Sequence, residues 1–185
     1  GMTVAIIATL LNPTLIDTTN LWLILIAMAI GILIAWISGK KVSMTQMPQM
    51  IALYNGMGGG AAGAIAAVEL LNQNINGILL LLLSITGAFI GTISLSSSII
   101  AFAKLQGLIK RSIAYPFHKV ALALMALIAV ILGAFLILHP FNQILLTCYF
   151  SWLIIIGILM ALPIGGANMP VVISLLNAMT GLAVG

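Results

Sequence analysis

The chain is 185 residues long, 63% hydrophobic and only 4% charged, with a mean hydropathy of +1.33. That balance excludes a soluble globular domain, in which about half the residues are apolar and about a quarter charged, and puts the chain in a lipid bilayer. The net charge of +4 comes from six basic and two acidic side chains, with no basic patch interleaved with aromatics on a polar surface, so a nucleic-acid partner is excluded too.

In chain order, the apolar run Met2–Leu11 is too short to cross a membrane and reads as the end of a helix whose beginning is absent. It lacks the basic n-region and small-residue cleavage site of a signal peptide. Both ends of the chain look cut through helices, so a piece of a longer polypeptide is expected. After a turn at Asn12-Pro13 come Leu21–Ser38, the basic pair Lys40-Lys41, and Met50–Leu71. A turn at Asn72-Gln73-Asn74 leads into Gly77–Ala103, and a basic loop with Tyr115-Pro116 leads into Val120–Leu138. His139-Pro140, then Gln143–Leu162, then Pro163 with Gly165-Gly166, and finally Met169–Gly185 complete the series. Each long run approaches or exceeds the ~20 residues a crossing helix needs. The expected fold is an all-α polytopic transmembrane helix bundle, with six full or nearly full spans plus one partial, forming one domain over residues 1–185.

Charge placement orients it. With loops alternating sides, Asp17 and Glu69 fall on one side, and Lys40, Lys41, Lys104, Lys110, Arg111 and Lys119 on the other. The positive-inside rule then assigns the basic loops to the cytoplasm or its equivalent.

Two of the helices open alike. Met47-Pro48 leads to Asn55, and Met169-Pro170 to Asn177, each asparagine seven residues after the proline. Proline suits a first helical turn, where its missing N–H has no partner to lose. Seven residues put each amide roughly 10 Å down its helix, inside the hydrocarbon, where polar groups are costly and tend to be functional. Tyr54 adjoins the first amide, and Ser174 lies three residues before the second on the same helix face. These four side chains read either as interhelical hydrogen-bond glue or as the polar lining of a path that holds water. None of them titrates as a proton carrier needs to near neutral pH, so a proton path requires an ionisable partner.

Glycines Gly56, Gly58, Gly59, Gly60 and Gly63 give small-xxx-small spacings at Gly56/Gly60 and Gly59/Gly63, repeated at Gly87/Gly91, which let helices approach closely. They also weaken the helix beside Asn55, by up to about 1 kcal/mol each, so flexibility is a second reading. Gly58-x-Gly60-x-x-Gly63 fits a dinucleotide fingerprint, but the acid expected about 20 residues on is missing, and an open strand or loop in hydrocarbon would leave backbone groups unpaired.

Glu69 follows Pro48 by 21 residues, about 31 Å along a helix, at the far interface. His118 and His139 sit in a loop and at a helix end and read as structural. Ser94, Ser96, Ser97 and Ser98 are expected to bond back to helix carbonyls or to line an entrance. Cys148 stands alone and reads as a small core residue, with no intrachain disulfide or cysteine metal site possible. No metal-ligand spacing and no catalytic triad is present.

Four blocks carry a resemblance. Lys40-Lys41-Val42-x-Met44-Thr45-x-Met47-Pro48, Ile51-Ala52-Leu53-Tyr54-Asn55-Gly56 with Met57 to Ala62, Ile100-Ala101-Phe102-Ala103-Lys104-Leu105-Gln106-Gly107, and Ile164-Gly165-Gly166-Ala167-Asn168-Met169-Pro170 through Asn177 run in order over almost the whole chain. They resemble the membrane domain of the beta subunit of proton-translocating (Re/Si-specific) NAD(P) transhydrogenase. The resemblance implies a bacterial inner (plasma) membrane or mitochondrial inner membrane protein. It further implies that hydride passes from NADH to NADP⁺ between two soluble domains as protons move inward through the membrane domain. The further helices and the NADP(H)-binding domain that normally follow are absent from this sequence. The chain is therefore expected to carry no catalytic residue, metal or bound cofactor of its own, with NADP(H) and NAD(H) handled elsewhere in the enzyme. Its implied partners are the alpha subunit with its NAD(H)-binding domain and membrane helices, the NADP(H)-binding domain, a second copy of the complex, and lipid.

By position, Asn177 matches a conduction-path asparagine of the family. Asn55 matches a position where some members have the histidine thought to take the proton; in other branches that histidine looks to be on an alpha-subunit helix, which Asn55 is then expected to face. Asn168 replaces the aspartate common at the cytoplasmic mouth. Asn168, Lys40, Lys41 and Lys104 are expected to couple to the NADP(H)-binding domain. The competing readings are a small secondary transporter or channel with the glycine helix broken at its site, and a purely structural subunit.

Overall fold

In hydrocarbon each spanning segment must pair its own backbone N–H and C=O groups, and the apolar runs accordingly fold as helices. The computed structural model describes residues 2–11, 18–71, 77–113 and 115–184. The turns expected at Asn12-Pro13 and Asn72-Gln73-Asn74, and Asp17, lie outside them. Among the described residues, six helices are long and apolar enough to cross a membrane and there is no strand. The protein is thus an all-α polytopic membrane protein. It divides into two compact units, Gly1–Met44 and Thr45–Gly185.

The first unit carries α1 (Met2–Leu10) and α2 (Thr18–Lys41). In α2 the Ser38 hydroxyl donates back to the Ile34 carbonyl (2.8 Å), so it adds no unpaired polar group to an apolar helix. At its end the Lys40 ammonium sits 4.8 Å from the centre of the Trp36 ring, a cation–π pair suited to the membrane interface.

The second unit holds α3 (Met47–Leu71), α4 (Ile78–Leu105), α5 (His118–Leu138), α6 (Gln143–Ala161) and α7 (Met169–Val184). A 3₁₀ turn precedes each Met-Pro helix, Met44–Gln46 before α3 and Gly166–Asn168 before α7. The sequence symmetry between the two helices is therefore matched by their entry geometry. Helix ends overrun the apolar runs by up to three residues, because polar flanks continue the backbone pairing into the interface.

α4 is the central helix, packed on α3, α6, α7 and, over a shorter stretch, α5. Its pairing with α3 is antiparallel: Gly56 lies against Ser98, Gly59 against Ser94, and Gly63 against Thr92. A Cβ added to Gly91 would lie 2.6 Å from the Gly63 nitrogen and 2.7 Å from the Gly59 oxygen. The buried stripe is thus Gly56, Gly59 and Gly63 facing Gly91, with Gly60 beside Leu95 and Gly58 beside Thr180. α3 runs unbroken through all five glycines. Their visible part in the fold is close backbone approach, and a transporter with a broken helix here loses its premise.

Aromatic side chains with polar handles tie α6 to its neighbours. The Tyr149 hydroxyl donates to the Ile85 carbonyl (3.1 Å) and the Trp152 indole N–H to the Met125 carbonyl (3.0 Å). Each buries a large ring and still satisfies its one donor. Cys148 corrects its expected core role: the α6 face toward α4 and α5 is taken by Leu146, Tyr149 and Leu153, and Cys148 is exposed beside them.

The alternating directions gather Lys104, Lys110, Arg111 and Lys119 at the end where α3, α5 and α7 begin, with Glu69 near the other. Lys104 is 7% exposed. Its ammonium donates to the carbonyls of Ala161 (3.1 Å), Leu162 and Ile164 (2.6 Å). All three protons are spent on carbonyls at and just beyond the end of α6, where the helix dipole also favours a cation; those of Ala161 and Leu162 accept the Ile164 and Ile113 N–H groups as well (3.3 and 3.2 Å). Lys104→Met is expected to cost about 2 kcal/mol, the range of charge-assisted hydrogen bonds, read as a lower thermal unfolding midpoint of the complete protein in mild detergent.

Candidate functional site

In the middle of the α3–α4–α7 contact lies a cluster of polar side chains inside an apolar bundle. Asn55 is 6% exposed. Its amide Nδ2 donates to Ser94 Oγ (3.2 Å) and to Ser98 Oγ (2.9 Å), both on α4. Ser94 Oγ is also 2.6 Å from Thr180 Oγ1 on α7, and Thr180 Oγ1 donates to the Leu176 carbonyl (2.9 Å). Each hydroxyl has one proton, so the donors line up in one direction: Asn55 to Ser94, Ser94 to Thr180, Thr180 to the α7 backbone.

One acceptor is left over. Asn55 Oδ1 is buried and has no hydrogen-bond partner. A buried amide oxygen without a donor is costly, about 1–3 kcal/mol, and in a native bundle marks a place for a water or an incoming donor group. An amide and three hydroxyls can orient water and pass hydrogen bonds, but they cannot hold a proton at neutral pH. A proton carried here would need a titrating group from elsewhere.

The expected site residues are distributed unevenly around this cluster. Asn55 is its hub. Tyr54, next to it, is 40% exposed. Asn177 and Ser174 sit on the exposed side of α7, and neither side chain has a partner among the described residues. The two asparagines, so alike in sequence, are not brought together. Equal spacing from Met-Pro sets equal depth, but α3 buries positions 52, 55, 56 and 59, whereas α7 buries 169, 173, 176 and 180. Measured from the respective methionines these faces differ in azimuth, so Thr180 rather than Asn177 enters the cluster.

Of Ser94, Ser96, Ser97 and Ser98 on α4, Ser96 and Ser97 bond back to carbonyls of their own helix, as expected. Ser94 and Ser98 instead turn to α3. Thr180 is the site residue that sequence reasoning missed, and the pairing of Ser94 and Ser98 with Asn55 is the contact it did not foresee. The signal for that pairing was the i, i+4 spacing of Ser94 and Ser98, which puts both hydroxyls on one helix face.

Of the residues expected at a cytoplasmic mouth, Asn168 is exposed in the 3₁₀ turn that opens α7, its backbone N–H donating to the Gly165 carbonyl (3.0 Å). Lys40 and Lys41 are exposed at the end of α2. Lys104 is turned inward. The glycine fingerprint does not fit a dinucleotide: Gly58, Gly60 and Gly63 lie in a continuous helix whose N–H groups are already paired.

These features define a polytopic helical membrane domain with a buried amide–hydroxyl cluster between three of its helices. A family model described as NAD(P) transhydrogenase beta subunit matches residues 1–185. Two similar proteins, one from Rhodospirillum rubrum and one from a designated strain of that species, are each described as NAD(P) transhydrogenase subunit beta. Each is 39% identical over 197 residues, covering 99% of this chain and 40% of the relative. The chain belongs to the NAD(P) transhydrogenase beta subunit family, and spans about two fifths of the length of these relatives.

Proposed function

We propose that this chain is the proton-conducting part of a proton-translocating NAD(P) transhydrogenase, coupling inward proton movement to hydride transfer from NADH to NADP⁺. The observation that carries the reading is the unpaired, buried oxygen of Asn55 within a hydroxyl cluster between α3, α4 and α7. A polar group held there without a partner is expensive in a membrane unless something visits it. The visitor we propose is water carrying a proton, delivered by a histidine of a partner alpha-subunit helix. Tyr54, Ser174 and Asn177, exposed on α3 and α7, are the side chains that such a helix would meet. Asn168 with Lys40 and Lys41 would face the NADP(H)-binding domain on the cytoplasmic side of a bacterial inner or mitochondrial inner membrane. NADP(H) and NAD(H) would bind only outside this segment, in a complex that pairs with a second copy of itself.

Replacing Asn177 by leucine in the complete enzyme is expected to abolish proton pumping in reconstituted vesicles, with the protein assembled normally. Unchanged pumping would reject its role. Purely structural asparagines would tolerate the change.

A further inference from the structure

The loop between α4 and α5 combines exposed apolar side chains with a concentration of cations. α4 ends on Gly107 at φ 74°, whose N–H bonds to the Lys104 carbonyl (3.0 Å), while the N–H of Leu108 reaches the Ala103 carbonyl (2.9 Å). At such a helix end an apolar residue after the glycine commonly folds back on the last turn. Leu108 does not, and is 76% exposed. Phe117, 82% exposed, holds φ 60°, a left-handed backbone that is costly for a bulky residue. Ile113 is exposed between them, although its own N–H is bonded to the Leu162 carbonyl (3.2 Å). A loop tied in this way to the end of α6 is not slack, so the outward apolar groups belong to its shape.

Among them stand Lys110, Arg111 and Lys119, all exposed, in a stretch 106–119 without an acidic residue. No side chain caps α5 among the described residues, so the positive end of its dipole adds to the same field. Directly after Lys119, Val120, Leu124, Leu127 and Ile131 form an exposed apolar stripe at helical spacing. The stripe is about 16 Å long, roughly half of the ~30 Å hydrocarbon and so the depth of one leaflet. α5 packs mainly on α6 and, over a shorter stretch, on α4, which leaves this side outward. Water penalises the apolar groups and hydrocarbon penalises the cations. The bilayer interface suits both, with the charged heads at phosphate level and the apolar groups among acyl chains.

We propose that this loop and the outward stripe of α5 bind an anionic phospholipid: Lys110, Arg111 and Lys119 hold its phosphate, Leu108 and Phe117 flank it, and an acyl chain lies along Val120 to Ile131. Charge complementarity selects the headgroup, since each cation near the surface favours an anionic lipid about fivefold. A soluble domain could meet the cations but not the stripe, which descends into hydrocarbon. The bound lipid also steadies the Ile113–Leu162 link, and with it the carbonyls on which Lys104 closes. Such a site is independent of any proton path.

The test places a reporter in the loop of the complete enzyme. Phe117→Trp is reconstituted in equimolar phosphatidylglycerol and phosphatidylcholine, with one or the other carrying brominated acyl chains, which quench tryptophan on contact; the signal of the parent is subtracted. Brominated phosphatidylglycerol is expected to quench at a roughly tenfold lower mole fraction than brominated phosphatidylcholine, a conservative share of what three cations supply. Adding Lys110→Gln, Arg111→Gln and Lys119→Gln together is expected to erase the difference. Excess inorganic phosphate is expected to leave the quenching unchanged. If Phe117→Trp fails to assemble, Leu108→Trp gives the same reading. Equal quenching by the two lipids overturns the proposal, as does a preference that survives the three glutamines. Quenching by neither lipid overturns it too, because another protein segment would then cover the loop, and relief by inorganic phosphate would mean a soluble-anion site instead.

Discussion

Gly91→Ala is expected to destabilise the five-helix unit by about 3 kcal/mol or more, the upper part of the range for overpacking a close-fitted interior. The new methyl carbon would lie 2.6 Å from one backbone atom of α3 and 2.7 Å from another. Neither can yield as the end of a flexible side chain would, so the whole α3–α4 contact must part. That contact also aligns Asn55 with Ser94 and Ser98, and pumping should fall with it. Gly58→Ala is the matched control. Its added carbon would meet only the Thr180 methyl at 3.5 Å, an ordinary contact, and the gain in helix propensity, up to about 1 kcal/mol, makes it neutral or stabilising. Thermal unfolding of both variants of the complete protein in mild detergent checks the pair. Equal midpoints would mean that close approach of the backbones is not what holds α3 to α4.

The reading from sequence was accurate wherever one coordinate sufficed. Hydropathy and the two Met-Pro openings located all six long helices, because length and polarity of a run are enough to place it in a bilayer. Position along the helix was legible as well: Asn55 lies about 10 Å along α3 from Pro48, as the count requires. Azimuth was not. Asn177 has the same spacing as Asn55 but faces out of this chain, since the side of a helix that packs inward depends on partners which its own sequence does not name. In an almost wholly apolar helix there is no polar stripe to mark the buried side, and that is why Cys148 was placed in the core and Thr180 overlooked. Small residues gave the better clue. Gly56, Gly59 and Gly63 mark the α4-facing side of α3, and Asn55 sits beside that stripe.

Lys104 illustrates a different limit. A lysine near the end of a spanning helix counts equally as a topology signal or as a contact for a soluble partner, and composition cannot separate the two. What decides its geometry is the group of carbonyls at and just beyond the end of α6, brought alongside only because α4 and α6 run parallel. Its prospective role at the mouth therefore passes through the α6–α7 turn that it holds. The exposed cations of that end, Lys110, Arg111 and Lys119, are not drawn inward in this way.

The central claim concerns Asn55. Asn55→Leu removes the unpaired oxygen and both donors at once while keeping a similar volume. Ser94 and Ser98 can then bond back to their own helix carbonyls, as Ser96 and Ser97 already do. The cost to folding should accordingly stay near 1–2 kcal/mol, the scale of a polar contact between membrane helices. Conduction should suffer far more, because the path loses its station between α3, α4 and α7 and water has nothing there to hold it. The decisive measurement is proton pumping by the complete Asn55→Leu enzyme in reconstituted vesicles, alongside hydride exchange between its bound nucleotides. The account predicts that pumping falls at least ~tenfold, equivalent to about 1.4 kcal/mol or more added to the barrier, while hydride exchange persists; an assembled variant that pumps at the parental rate would contradict it.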